Sequence, residues 1–257
     1  MSNSKEKYYF ASDFHFGIPD DETSLARERL VIKWLDSIKN DAKAIYLAGD
    51  VFDFWFEYTK VVPKGYVRVL SKFAELIDSG TPIHLFRGNH DLWAFSYLSD
   101  EIGMICHRNP ETITMNGKNI HIAHGDGLGP DDYVYKFLLS VFKCKLNQLL
   151  FRWIHPDLGI RMGLLFSKKH RYIKRIEAGK DINITLENEL LYKYANTYLE
   201  KDNNIDYFVF GHRHIPVNQC INDKTSFILL GDWMNHYTYG VLDEDGTFEL
   251  KRYQDKL

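Results

Sequence analysis

Several short apolar runs in this chain end in the same way, in a block of oxygen and imidazole donors, and that recurrence constrains the fold more than any other feature. The clearest case is the run Ala44, Ile45, Tyr46, Leu47, which reads as a buried strand. It leads into Gly49-Asp50-Val51-Phe52-Asp53, where the glycine allows a sharp turn and Asp50 is delivered at the strand end. A carboxylate placed there has two oxygens free to face two different cations. Four other runs end comparably. Residues 8–11 lead into Ser12-Asp13-Phe14-His15, and residues 83–86 into Arg87-Gly88-Asn89-His90-Asp91. Residues 120–123 lead into His124-Gly125-Asp126, and residues 207–210 into Gly211-His212-Arg213-His214.

Between the first two runs, Leu30, Val31, Trp34, Leu35 and Ile38 define one face of a helix over residues 27–38. Strand, helix, strand at this spacing is a βαβ unit. A second helix is expected over 66–77 with Gly80 as its cap. Asn116-Gly117 joins residues 113–115 to 120–123 as a hairpin, and Asp245-Gly246 marks a second hairpin within 239–252. Five aromatics within residues 52–58 read equally as core or as the lining of an apolar groove. From residue 127 to about 201 the pattern turns helical, with Phe137, Leu138, Val141, Phe142, Leu146, Leu149 and Leu150 at spacings of three and four among frequent lysines and arginines. This predicts an α/β core from 1–126 and 202–257 with a helical cap insertion at 127–201.

Composition narrows the function classes. At 45% hydrophobic and 26% charged, the 257 residues suit a folded domain with a substantial core. A formal charge of −3 provides no basic field for nucleic acid. Cys106, Cys144 and Cys220 are scattered and odd in number, which argues for a reducing compartment and against a disulfide framework. Cys144, among lysines, reads as a semi-exposed helix cysteine. No signal peptide or membrane-spanning run is read from the sequence, so the expected setting is the cytoplasm.

The candidate metal ligands are Asp13, His15, Asp50, Asn89, His124, His212 and His214. Carboxylate, imidazole and one amide oxygen together suit divalent ions such as Mn, Fe or Zn, with Mg a further candidate. Seven ligands with one shared carboxylate can serve two ions, and two ions ~3.5–4 Å apart can clamp a phosphate in line. One His after a strand is more often a satisfied polar residue than a ligand; five such blocks in sequence are not produced by that explanation.

The blocks Asp13-Phe14-His15, Gly49-Asp50, Gly88-Asn89-His90-Asp91, His121-Ile122-Ala123-His124-Gly125-Asp126 and Gly211-His212-Arg213-His214 resemble the calcineurin-like metallophosphoesterase superfamily. The resemblance implies a four-layer αββα sandwich of two mixed sheets. It assigns Asp13, His15, Asp50 and His214 to one metal and Asp50, Asn89, His124 and His212 to the other, with Asp50 bridging. It makes His90 the histidine beside the phosphate, donating a proton or stabilising charge, with Asp91 holding its tautomer. Asp53 either orients a metal ligand or caps a helix.

Three features are similar to the UDP-2,3-diacylglucosamine diphosphatases of lipid A synthesis. Aromatics directly follow the bridging Asp50; residues 124–132 run into a cap helix through Tyr135; and Ser167, Arg171 and Lys174 share one helix face. That resemblance implies cleavage of UDP-2,3-diacylglucosamine to UMP and 2,3-diacylglucosamine 1-phosphate, usually with Mn. It also implies contact of the substrate or cap with Asp132, Tyr135, Ser167, Arg171 and Lys174. An acyl groove needs apolar residues, and Phe137, Phe142, Leu149, Leu150, Phe151, Trp153 and Phe166 are available for it or for the cap's own core. A basic cap edge suits contact with anionic lipid on the cytoplasmic face of the inner membrane. The best-known branch of that family has Arg where this chain has His90, which can donate a proton near neutral pH where Arg cannot. The competing expectations are a phosphoesterase of soluble nucleotides or phosphodiesters, a metal-bound scaffold without activity, and a DNA exonuclease. The intact ligand set weighs against the scaffold, and the net charge against the exonuclease.

Overall fold

The structure is a computed structural model. It describes residues 5–130, 133–178 and 189–254, and for residues 168–178 it describes the backbone alone. Strands β1 (Lys7–Ala11), β2 (Ala42–Leu47), β3 (Ile83–Phe86) and β4 (Ile105–His107) run parallel. Strands β10 (Thr238–Leu242) and β11 (Phe248–Arg252) extend this sheet on the β1 side, in the order β11-β10-β1-β2-β3-β4. The second sheet has β5 (Glu111–Met115), β6 (Lys118–Ala123), β7 (Tyr207–Phe210), β8 (Pro216–Cys220) and β9 (Ser226–Leu230) in the order β5-β6-β7-β9-β8, with β6, β7 and β9 parallel.

Period-two alternation explains the layering. Tyr9, Ala11, Ile45, Leu47, Ile83 and Leu85 point to one face of the first sheet, where α1 (Asp21–Ile38) and α2 (Val67–Asp78) cover them with Val31, Trp34, Leu35, Val69, Leu70 and Phe73. The intervening Phe10, Ala44, Tyr46 and Phe86 point the other way and meet Ile120, Ile122, Val209, Ile228 and Leu230 of the second sheet. That sheet turns Phe208, Phe210, Phe227 and Leu229 outward, onto Leu191 and Ala195 of α7 (Leu190–Leu199). Strands buried on both faces carry nearly continuous apolar runs, as parallel strands do. The result is the αββα sandwich expected.

Helix α1 begins two and a half turns before its apolar stripe, because Asp20 caps it by accepting from the Thr23 amide at 2.8 Å. Gly80 ends α2 as expected, at φ +86 with its amide on the Ile77 carbonyl. Both hairpin turns form, with Asn116 and Gly117 at positive φ in the first. A short α3 (Tyr97–Asp100) and three further helices, α4 (Tyr133–Lys143), α5 (Lys145–Arg152) and α6 (Pro156–Ala178), complete the described elements. Cys144 sits exposed at the start of α5.

The aromatic stretch divides between its two readings. Phe52, Trp55 and Phe56 are buried, and Phe54 together with Trp55 lines a cavity shared with α4, α5 and α6.

Candidate metal centre

In each sheet the parallel strands deliver their C-terminal ends to one edge, where loops of an α/β fold carry function. Asp13 and His15 follow β1, Asp50 follows β2, Asn89 follows β3, His124 follows β6, and His212 and His214 follow β7. The loops are bound to one another by their backbones. Asp13 N–H donates to the Gly49 carbonyl, His15 N–H to Asp50, Gly211 N–H to His124, and Trp233 N–H to Asp13. Five of these donors, Asp13, His15, Asp50, His212 and His214, have φ between 46 and 66, a left-handed conformation that costs non-glycine residues energy and concentrates at functional sites. Two glycines make the close approach feasible. A Cβ on Gly88 would collide with the Asp50 carboxylate, and one on Gly49 would lie 2.5 Å from His124 Nδ1.

The donors form two groups. In the first, His15 Nε2 lies 3.3 Å from His214 Nε2 and 3.6 Å from Asp13 Oδ1, while His214 Nε2 lies 3.4 Å from Asp13 Oδ1. In the second, His124 Nε2 lies 3.2 Å from His212 Nδ1, 3.2 Å from Asp50 Oδ2 and 3.3 Å from Asn89 Oδ1. Asp50 Oδ2 is also 3.6 Å from His15 Nε2, so this one oxygen faces both groups.

The donor chemistry fits a pair of cations. His124 Nδ1 is 2.8 Å from the Ala48 carbonyl, which can only accept, so Nδ1 carries the hydrogen and Nε2 presents a lone pair. His15 Nδ1 lies 3.1 Å from Asp53 Oδ1, which aims the Nε2 lone pair inward in the same way. Lone pairs therefore converge on one another in both groups. Asp13 Oδ1 is buried with no hydrogen-bond partner. Such an arrangement is repulsive on its own and favourable around positive charge. The titration behaviour agrees. Burial alone would lower the His15 pKa, but the surrounding carboxylates of Asp13, Asp53 and Asp50 carry it up to about 9. Burial works against His124 as well, and Asp50 chiefly drives it well above 6.5. For Asp50 burial is outweighed by His124, His90 and His15, which hold the carboxyl well below its usual range. The pocket draws in positive charge, which a divalent ion supplies.

The remaining predicted residues divide. Asp53 orients His15, one of its two expected readings. His90 Nδ1 lies 2.7 Å from the Asp53 carbonyl, and Nε2 lies 3.9 Å from Asp50 Oδ2. Burial, against the pull of Asp50, lowers its pKa to about 4. The role expected of Asp91 is corrected. Its carboxylate accepts from the Val51 amide at 2.8 Å and the Gly88 amide at 2.6 Å, so both oxygens are spent on the β2 and β3 loops, and His90 takes its tautomer from the Asp53 carbonyl instead. Tyr135 Oη donates to Asp126 at 3.3 Å, and its ring faces His212. Ser167 is buried, 2.9 Å from Asp53 Oδ2 and 3.1 Å from His90 Nδ1. Asp132 lies outside the described residues, as do the side chains of Arg171 and Lys174.

Asp232 was not anticipated. It is buried after β9, lies 3.5 Å from His214 Nδ1, and accepts from the amides of Asn235 at 2.8 Å and His236 at 3.0 Å. The signal was present in Gly231-Asp232-Trp233, another glycine and aspartate at a strand end. Trp93 was also missed. Its indole N–H donates to the Phe142 carbonyl of α4 at 2.9 Å, tying the loop after β3 to that helix.

Beside these candidate ligands lies a cavity of about 330 Å³. Its apolar wall includes Phe54, Trp93, Leu138, Phe142, Phe151 and Phe166, and its polar end is formed by Asp53, Asn89, His90 and Ser167. Phe137, Leu149, Leu150 and Trp153 do not line it and are exposed.

The chain is similar along nearly its whole length to curated proteins. One, named UDP-2,3-diacylglucosamine hydrolase, from Porphyromonas gingivalis, is 36% identical over 93% of this chain and 95% of its own length. Proteins of the same name from Hahella chejuensis and Neisseria gonorrhoeae are 25% and 26% identical, over 94% and 93% of this chain and 95% and 94% of theirs. Residues 7–216 match the family model for calcineurin-like phosphoesterases, and the chain, with two sheets whose strand ends converge on seven metal-type donors, belongs to that family.

Proposed function

We propose that this chain cleaves the diphosphate of UDP-2,3-diacylglucosamine, releasing UMP and 2,3-diacylglucosamine 1-phosphate. The observation that carries the reading is the cavity, with an apolar body for acyl chains and a polar end at His90 and Asn89 beside the ligand cluster. Asp13, His15, His214 and Asp50 would hold one divalent ion, and Asp50, Asn89, His124 and His212 a second, with Mn as the first candidate. When bound, the ions supply charge stabilisation for the phosphate and lower the pKa of a water molecule.

The chain's own residues orient and exclude. Asp53 and the Ala48 carbonyl fix the imidazoles of His15 and His124. Asp232 does the same for His214. With Nδ1 committed to the Asp53 carbonyl, His90 faces the phosphate through Nε2, and it becomes a donor there as the imidazolium, a form that an arriving diphosphate favours. The aromatic wall excludes water from the acyl chains.

In this reading residues 127–201 form the cap, although its last helix, α7, stays packed on the second sheet. Helices α4 and α5 expose Val134, Phe137 and Leu146, with Trp153 just beyond them 83% exposed, in a stretch that also carries Lys136, Lys143, Lys145 and Arg152. That mixture suits a bilayer surface carrying anionic lipid, on the cytoplasmic face. No helix among the described residues is long and apolar enough to cross a membrane.

The test is hydrolysis of UDP-2,3-diacylglucosamine in mild detergent with Mn, beside UDP-N-acetylglucosamine and bis-p-nitrophenyl phosphate. The expected result is release of UMP from the acylated substrate and little turnover of UDP-N-acetylglucosamine. Equal turnover of the two nucleotide sugars would replace the lipid with a soluble nucleotide substrate.

A further inference from the structure

Helix α6 is seated on the aromatic stretch through a stripe of small residues. Gly159, Gly163 and Ser167 recur every four residues and so share one face of the helix, spanning about 12 Å at 1.5 Å per residue. A Cβ on Gly159 would collide with the Tyr58 hydroxyl, and one on Gly163 would collide with the Phe54 ring. The third member of the stripe, Ser167, arrives over Asp53. The Ser167 hydroxyl donates to Asp53 Oδ2 at 2.9 Å, and its oxygen lies 3.1 Å from His90 Nδ1, which it shares with the Asp53 carbonyl. Asp53 Oδ1 in turn accepts from His15 Nδ1 at 3.1 Å. A continuous hydrogen-bonded chain therefore runs from the cap to His90 and, through Asp53, to a metal ligand.

We propose that Ser167 is a positioning residue through which the seating of α6 on Phe54 and Tyr58 sets the orientation of His90 and His15. The cap is then part of the catalytic apparatus as well as a cover for the cavity. This differs from a direct contact between Ser167 and the sugar phosphate, because the hydroxyl is already spent on Asp53. It requires only the phosphoesterase centre and does not depend on the lipid substrate.

The test compares Ser167→Ala, Ser167→Thr and Gly163→Ala with the parent on bis-p-nitrophenyl phosphate, which has no sugar phosphate, and on UDP-2,3-diacylglucosamine. Loss of a hydrogen bond behind a metal ligand lowers activity by roughly 10–100-fold. Ser167→Ala should lose about that much kcat on both substrates with little change in KM, and Ser167→Thr, which keeps the hydroxyl, should recover most of it. Gly163→Ala keeps Ser167 but lifts the helix off Phe54, and it should lower kcat as well. The second readout uses metal-free protein. The ¹⁵N resonance of His90 Nδ1 should move in Ser167→Ala and Gly163→Ala and return in Ser167→Thr. Parent-like kcat on the ester in Ser167→Ala overturns the proposal. So does a defect confined to KM for the lipid, or an unmoved His90 resonance. Failure to hydrolyse the lipid with normal turnover of the ester would count against the substrate assignment alone.

Discussion

Replacing Asp53 by Asn isolates what its charge does for the metal centre. The carboxylate is completely buried and, among the described residues, accepts from His15 Nδ1 at 3.1 Å and from Ser167 Oγ at 2.9 Å. The amide has the same shape, and its oxygen can still accept from His15, so the imidazole keeps its tautomer. What disappears is the charge that makes His15 a stronger donor, and it disappears where little solvent screens it. A hydrogen bond to a charged group is worth about 1.5–3 kcal/mol against about 0.5–1.5 for a neutral one, so the substitution should cost about 1–2 kcal/mol of metal binding. That is roughly 5–30-fold in affinity. It should fall on one ion only, because His15 belongs with Asp13 and His214, whereas His124 and His212 have no contact with Asp53 among the described interactions. Calorimetric titration of the metal-free variant with Mn should therefore resolve one weakened site and one site of parent affinity. Equal weakening of both, or of neither, refutes the argument that Asp53 acts through His15.

Other consequences follow from the same geometry. Asp91→Ala leaves the Val51 and Gly88 amides buried without their acceptor, and at roughly 1–3 kcal/mol for each such group the urea midpoint should fall markedly. His121, bonded to Thr112 and Tyr194 between β6 and α7, is held neutral, with burial lowering its pKa from 6.5 to about 4. The unfolded chain takes up that proton first, so the stability tied to it is present above pH 6.5 and is lost as pH falls toward 4, by at most about 3 kcal/mol. Urea melts at pH 7 and 4.5 should show a smaller acid loss in His121→Gln than in the parent. Phe142→Ala removes apolar wall from the cavity and should raise KM for the acylated substrate on the order of tenfold while sparing kcat on bis-p-nitrophenyl phosphate.

The core of this fold was legible because its parallel strands are buried on both faces and announce themselves as apolar runs, each followed by polar donors. The donors that gather at the sheet edge were legible for the same reason, since Asp13, Asp50, Asn89, His124 and His212 all sit just past such a run. Two strands were not read. β4 has three residues, too few for any period, and β8 opens on Pro216 and carries exposed Asn218 and Gln219, as suits an edge strand. The stretch over 133–178 showed its helices but not their partners. Phe142, Phe151 and Phe166 line the cavity while Phe137, Leu150 and Trp153 do not and are exposed, a division that helical spacing alone does not set. Asp91 could not be separated from His90 by sequence, because adjacent residues on a tight loop point to different partners. The bond from Ser167 to Asp53 joins residues 114 apart and is a product of tertiary packing.

The most direct measurement is the metal content of the parent and of Asp50→Ala after loading with Mn and removal of excess. Asp50 Oδ2 faces both donor groups, so the account predicts two ions per chain in the parent and fewer than one in the variant, with the fold retained by circular dichroism. A parent that holds a single ion, or a variant that keeps both, would contradict a centre built around one shared carboxylate.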